Sequence, residues 1–314
     1  MHEVRLYKVG GNMNDAAKLT VGVIGLGSMG MGMARSLARA GLTLKAFDVN
    51  PKAVEAIADI GHGEPDHGQA AADCDIVVCA VVNAKQTRDV LLGAQGAVHA
   101  MKQNGVVISC ATMAPDEARA IGALVNEAGR LYLDAPISGG PAKAASGEMT
   151  IMASGTHEAF SRARPALEAM AAKIYELGSE VGIGASFKMI NQLLAGVHIA
   201  AACEAMSFAA KLGLDLPKVF EVITASAGNS WMFENRVPHI LEGDYHPKSA
   251  VSIFTKDLGI ISDMGRSEKF PLALSAAALQ MFLMTAAAGM ERDDDASVAR
   301  LLANIAGVDL PKHD

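Results

Sequence analysis

From residue 19 to about 182, short apolar runs alternate with segments of helical character; beyond that point long apolar helical stretches replace them. Leu19 to Gly25 (LTVGVIG) is a β-branched run that ends in glycine, and Met29 to Ala40 has helix-compatible composition closed by Gly41. The pattern predicts strand, glycine turn, helix. A second strand, Thr43 to Phe47, ends at Asp48, and a helix from Pro51 to Asp59 follows with proline in its first turn, where helix starts tolerate it. Runs at Ile76 to Val82, Val106 to Cys110 and Leu131 to Asp134 alternate with helical segments, notably Pro115 to Gly129. A further strand pair, Glu148 to Ala153 and Lys173 to Leu177, flanks a helix from His157 to Met170. Such alternation implies an α/β Rossmann-type domain, a parallel sheet covered on both faces.

After Gly184 strand-like runs nearly vanish, with no Pro/Gly linker marking the change. We expect an all-α C-terminal domain entered through one long helix, Ala185 to Leu212, stopped at Gly213. The division expected is therefore a flexible N-terminal extension over 1–18, a dinucleotide-binding domain over 19–182 and a helical domain for substrate and oligomer contacts over 183–314. The opening residues lack an apolar core and do not read as a signal peptide.

Composition narrows the function. Hydrophobic residues are 51% and charged residues 19% of the 314, the balance of a folding globular chain. A net charge of -7 without a basic block removes the electrostatic footprint of nucleic-acid binding. Cys74, Cys79, Cys110 and Cys203 form no CxxC pair, so neither zinc nor a disulfide is assigned, and buried thiols in a reducing cytoplasm are expected. The apolar stretches at 193–210 and 271–290 contain or adjoin charged residues, and we read them as buried helices rather than membrane spans.

Gly25-Leu26-Gly27-Ser28-Met29-Gly30 fits GxGxxG directly after a strand and before a helix, the setting that makes the motif informative. Gly25 allows the tight turn, Gly27 lets a pyrophosphate approach the backbone, and Gly30 lets helix and strand pack closely. Asp48 stands 23 residues after Gly25, near the spacing at which an acid hydrogen-bonds the adenosine ribose 2′-hydroxyl. A carboxylate there repels a 2′-phosphate, and no arginine follows at once, so the predicted cofactor is NAD rather than NADP. Without the glycines upstream, Asp48 would be an ordinary strand-end acid.

Two more clusters stand out. Asp134-Ala135-Pro136-Ile137-Ser138-Gly139-Gly140 closes a strand with groups able to face an anion, although on spacing alone an ordinary turn explains it as well. Gly182 to Gln192 opens the long helix, and Lys188, Asn191 and Gln192 share one helical face. A lone lysine on an apolar helix usually snorkels, but this one has a glycine-rich entry and two amides beside it.

Together the three clusters resemble the β-hydroxyacid dehydrogenase family, whose members include 3-hydroxyisobutyrate dehydrogenases and tartronate semialdehyde reductases, over nearly the whole chain. The resemblance implies that Gly25 to Gly30 bind the dinucleotide, that Ser138, Gly139 and Gly140 bind the substrate carboxylate, and that Lys188 is catalytic. It also places Val82, Thr112 and Lys256 at the cofactor. The family commonly has an asparagine four residues after the lysine; here Gln192 holds that place beside Asn191, and which amide meets substrate stays open. The segments 192–198 and 227–235 are similar to those of a sugar-acid-oxidising member, which implies that Asn229, Ser230 and Trp231 recognise extra substrate hydroxyls. Read plainly, the second segment is an interhelical turn capped by Asn229 and Ser230, with Trp231 in the core. The expectation is an NAD-dependent oxidation of a small hydroxy carboxylate in a homodimer or homotetramer. Lys188 would take the hydroxyl proton, its pKa lowered by the apolar neighbours Phe187, Met189 and Ile190. A non-catalytic dinucleotide-binding module would be expected to lack that lysine.

Overall fold

The computed structural model describes residues 5–6 and 19–313, so apart from Arg5 and Leu6 the expected N-terminal extension lies outside the described residues. By contact density the chain divides into Met1–Lys188 and Met189–Asp314.

The first unit carries strands β1 (Arg5–Leu6), β2 (Thr20–Ile24), β3 (Thr43–Phe47), β4 (His62–Gly63), β5 (Ile76–Cys79), β6 (Val106–Ser109), β7 (Leu131–Asp134), β8 (Ile137–Ser138), β9 (Met149–Ala153) and β10 (Ala171–Glu176). Six of them form one sheet in the order β4-β3-β2-β5-β6-β7, with every neighbouring pair parallel. β5 (IVVC) and β6 (VVIS) are buried at every position, which is why they read as unbroken apolar runs rather than alternating ones. Leu37 of helix Gly30–Arg39 and Phe160 and Leu167 of helix His157–Met170 join one core cluster. Ala70, Val98 and Ile121, from three other helices, join a second.

Strand order reverses between β2 and β5, because the chain leaves β2 toward β3 and β4 and then returns to the other side. The carboxyl ends of β2 and β5 therefore flank a crevice of the kind where open α/β sheets bind ligands. The glycine turn follows β2, and Ala80 to Val82 follow β5.

β8, β9 and β10 do not extend this sheet. They form a second one with β1, ordered β1-β10-β9-β8, in which β9 and β10 are parallel and both flanking pairs antiparallel. The separation leaves β8, carrying Ile137 and Ser138, next to β9 rather than in line with β7.

The second unit is helical, with an isolated bridge Ala250↔Asp294 and no strand among its described residues. Its core gathers Cys203, Met206, Val237, Phe254 and Phe282, and the last two stack with ring centroids 5.1 Å apart. Helices Leu216–Thr224 and Trp231–Glu242 start at side-chain caps, Asp215 and Ser230. All four cysteines are free and buried.

One expectation needs correction. The helices Ile183–Lys211 and Ala273–Met290 are long and apolar enough to cross a membrane by length and composition, but only 44% and 28% of their most apolar windows are buried. Phe187, Ile190, Leu194 and Phe208 on the first, and Leu274, Leu283 and Met284 on the second, are exposed. These are not fully buried core helices: one chain covers part of each and leaves the remaining apolar surface open.

Candidate active site

Gly25 adopts φ +97°, and its N–H donates to the Phe47 carbonyl at 2.9 Å, turning the chain sharply at the end of β2. A Cβ on Gly30 would lie 1.9 Å from the Gly25 carbonyl oxygen, whereas one on Gly27 would meet nothing within 4 Å. Strand and helix thus touch at Gly30 and leave open space at Gly27. The helix that follows has no side-chain cap and no acid in its first turn. Its unpaired N–H groups and partial positive charge suit a pyrophosphate, so these residues fit the dinucleotide they predict. Leu26, Ser28 and Met29 fill the rest of this turn.

Asp48 sits at the end of β3 and is wired into the same turn. Its Oδ2 accepts from the Leu26 N–H at 2.6 Å and its Oδ1 from the Asn50 N–H at 2.8 Å. A carboxylate offers about four lone-pair sites, so acceptor capacity for a ribose hydroxyl remains. Val82, half-exposed just after β5, donates its N–H to Gln86 Oε1 at 2.9 Å. Thr112 is half-buried in the segment after β6.

The second cluster and Lys188 belong to the same unit. Ser138 ends β8, and Gly139 and Gly140 follow at φ +137° and +77°, values that make this a glycine-specific bend. Lys188 is buried at 7% exposure, and its Nζ donates to the Ile137 carbonyl at 2.8 Å. The amine is thereby held one residue from Ser138. Its expected desolvating neighbours behave differently: Met189 is buried, but Phe187 and Ile190 are 50% and 62% exposed. Successive helical residues point about 100° apart, so adjacency in sequence did not mean a shared environment.

Asp134, at the end of β7, is a site residue that the sequence alone does not single out. It is 1% exposed, and its Oδ2 accepts from the N–H groups of Gly182 at 3.0 Å and Ala185 at 2.8 Å. Ser154 Oγ donates to the same oxygen at 3.5 Å while accepting from the Gly184 N–H at 3.0 Å. Burial pushes the Asp134 carboxyl up to about 6, against the lowering effect of these hydrogen bonds. The ties fasten the start of helix Ile183–Lys211 to the strand ends of the first unit.

In the second unit, Asn191 Nδ2 donates to Gln192 Oε1 at 2.9 Å, and Gln192 Nε2 donates to Asp257 Oδ2 at 2.6 Å. Asp257 is fully buried and its Oδ1 pairs with Lys256 Nζ at 2.7 Å. A buried carboxylate therefore links the amide pair to the predicted cofactor lysine. Lys256 is not an ordinary surface charge, and Asp257 is a residue that sequence reasoning passed over although it adjoins Lys256.

The segment around the single tryptophan keeps the capped turn of its plain reading but not the buried ring. Ser230 Oγ accepts from the Phe233 N–H at 3.0 Å as a helix cap, and Asn229 Nδ2 donates to the Thr224 carbonyl at 3.1 Å and to Glu234 Oε1. Trp231 is 54% exposed instead of sitting in the core. As the first residue after the cap it begins the helix on an open face.

Comparison with known proteins covers both units. Residues 20–178 match the family described as the NAD binding domain of 6-phosphogluconate dehydrogenase, and residues 182–302 match that described as NAD-binding of NADP-dependent 3-hydroxyisobutyrate dehydrogenase. L-threonate dehydrogenase of Cupriavidus necator is 53% identical over 93% of this chain and 97% of its own length. L-threonate dehydrogenase of Escherichia coli K12 is 45% identical over 93% and 98%. Among solved structures, that of 3-hydroxyisobutyrate dehydrogenase from Salmonella typhimurium has a TM-score of 0.87 and 45% identity, covering 90% of this chain and all of its own.

Proposed function

The chain belongs to the 3-hydroxyisobutyrate dehydrogenase-like family of NAD-binding hydroxyacid dehydrogenases, and on that premise we propose that it oxidises L-threonate at the 2-hydroxyl, with Lys188 as proton acceptor. The observation that carries this reading is the Lys188 amine held on the Ile137 carbonyl at 2.8 Å, beside the Ser138-Gly139-Gly140 bend. Bound NAD supplies the hydride acceptor. A neutral amine can donate one N–H to Ile137 and present its lone pair to the substrate hydroxyl, whose proton it takes as the carbonyl forms. Ser138 and the two glycines hold the carboxylate, and Asp48 favours the cofactor without a 2′-phosphate.

Gln192 has both ends of its amide engaged, which leaves half-buried Asn191 as the amide of the pair with capacity for a substrate hydroxyl. Asn229, Ser230 and Trp231 recognise the remaining hydroxyls in this reading. Ser230 caps its helix as an acceptor and so keeps its own proton for donation, and the Trp231 ring is open.

The sugar acid is favoured because relatives of that name match at 45–53% identity over almost full length. A solved structure of equal identity bears the name of a methyl-bearing substrate, so the substrate needs a direct test. NADH formation is to be measured with L-threonate, glycerate and 3-hydroxyisobutyrate, with product NMR for the first. We expect the highest kcat/KM on L-threonate and a 2-oxo product; a higher value on 3-hydroxyisobutyrate overturns the assignment. In the same assay Ser138→Ala raises KM about tenfold or more, as loss of a hydrogen bond to a charged group does, with NAD affinity unchanged. An effect confined to NAD affinity would reassign Ser138.

We further propose a homodimer or homotetramer in the cytoplasm. The exposed apolar side chains Phe187, Ile190, Leu194 and Phe208 along one helix support self-association, and four free buried thiols accord with a reducing compartment. Light scattering on the purified protein should give a multiple of the chain mass, and a single-chain mass would exclude this.

A further inference from the structure

We infer that Asp134 is the positioning residue for Lys188, a clamp that sets the amine against the substrate loop. The inference deepens the proposed function and rests on Lys188 being the proton acceptor. It stands on a closed circuit of contacts within the first unit. Asp134 Oδ2 accepts from Ala185 N–H at 2.8 Å and from Gly182 N–H at 3.0 Å. One turn of helix leads from Ala185 to Lys188, whose Nζ donates to the Ile137 carbonyl at 2.8 Å. The backbone then returns from Ile137 through Pro136 and Ala135 to Asp134. Carboxylate and amine thus pin the two ends of one helical turn to two ends of one short loop, the loop that continues into Ser138.

Ser154 doubles the pin. It pairs backbone to backbone with Asp134 (N–H to carbonyl, 2.8 and 3.1 Å) and receives the Gly184 N–H on its hydroxyl. Gly184 has no room for a side chain, since a Cβ would lie 2.5 Å from the Met152 carbonyl oxygen and 2.7 Å from that of Asp134. The helix start is therefore seated at a fixed depth as well as a fixed angle.

Burial costs the ionised Asp134 carboxyl more than its hydrogen bonds return. Desolvation raises its pKa to about 6. A raised carboxyl contributes stability that is fully present below its ordinary value near 3.8 and lost as pH climbs through about 6, so at neutral pH its ionisation weighs against folding. The groups around it are Arg119 from helix Pro115–Glu127, Ser154 beyond β9, the Cys110 thiol beyond β6 and Tyr132 of its own strand. Arg119 lowers the value least of the named causes.

The test compares Asp134→Ala, which removes the acceptor, with Asp134→Asn, which keeps an acceptor oxygen and removes the charge. Turnover of the best hydroxy acid, NAD affinity, melting temperature and the 13Cε signal of Lys188 in lysine-labelled protein, assigned by its loss in Lys188→Met, are measured for each. In Asp134→Ala we expect kcat to fall about tenfold to a hundredfold, the scale of a small misplacement of a reacting group, with NAD affinity kept and the Lys188 signal shifted. Asp134→Asn restores most of the turnover and the signal, and melts at pH 8 no lower than wild type. Wild-type turnover and an unmoved Lys188 signal in Asp134→Ala overturn the inference. So does an Asp134→Asn variant that melts lower with kcat and NAD affinity lost together. If Asp134→Ala does not fold, Asp134→Asn decides alone. A wild-type protein inert toward every hydroxy acid would sink the proposed function instead, and the Lys188 signal would still decide on Asp134.

Discussion

Lys188→Ala should lower kcat by about 10²–10⁴-fold, the worth of general acid–base assistance, while the protein folds and binds NAD as before. The side chain is buried and bonded to the Ile137 carbonyl, so its removal leaves that carbonyl without this donor but touches neither the glycine turn nor Asp48. Stopped-assay turnover and NAD titration by fluorescence separate the two effects. Turnover within a few-fold of wild type would take the proton-transfer role away from this amine. Lys188→Arg sharpens the reading: arginine can still donate to Ile137 but stays protonated at any assay pH, so a base role predicts that it fails as badly as alanine.

The second large effect falls on cofactor binding. Gly30→Ala would place a methyl group 1.9 Å from the Gly25 carbonyl oxygen and 2.9 Å from its carbon, both backbone atoms with no side-chain rotamer to escape by. Strand and helix must part. We expect a loss of about 1–3 kcal/mol or more, as for other forced overpacking, together with loss of measurable NAD binding. Gly27→Ala is the contrasting case, because its Cβ meets nothing within 4 Å of the protein. It should melt like wild type yet bind NAD more weakly, since the only thing its methyl group can obstruct is the incoming pyrophosphate. Equal NAD affinity in Gly27→Ala would mean that the phosphates lie elsewhere.

Local chemistry was legible where local rules decide it. β3 and β7 have the bounds their apolar runs predict, Thr43–Phe47 and Leu131–Asp134, because both lie in a sheet covered on both faces. The glycine turn could be read because each glycine answers a steric demand within the motif. The second sheet could not, since nothing in the composition of β8, β9 and β10 distinguishes strands that join the main sheet from strands that pair among themselves. Asp134 and Asp257 escaped for a related reason. Gly182, Ala185 and Gln192, which bond them, stand 48 to 65 residues away along the chain, and a carboxylate at a strand end or beside a lysine looks like any solvated acid until the fold brings those partners in. Ser230 was half legible: its capping role follows from the turn, whereas the exposure of Trp231 does not.

The seating of Gly184 against the Met152 and Asp134 carbonyls gives the interval between this glycine and Lys188 a geometric meaning. Four helical residues amount to about 400° of rotation, one full circuit plus a small advance, so the amine returns to the side on which the glycine touches the sheet. Adding or deleting a single residue between them would swing the amine by about 100° and carry it off the Ile137 carbonyl. Among the three intervening residues the exposed Phe187 can vary more freely than their number, whereas Ala185 is held in the core.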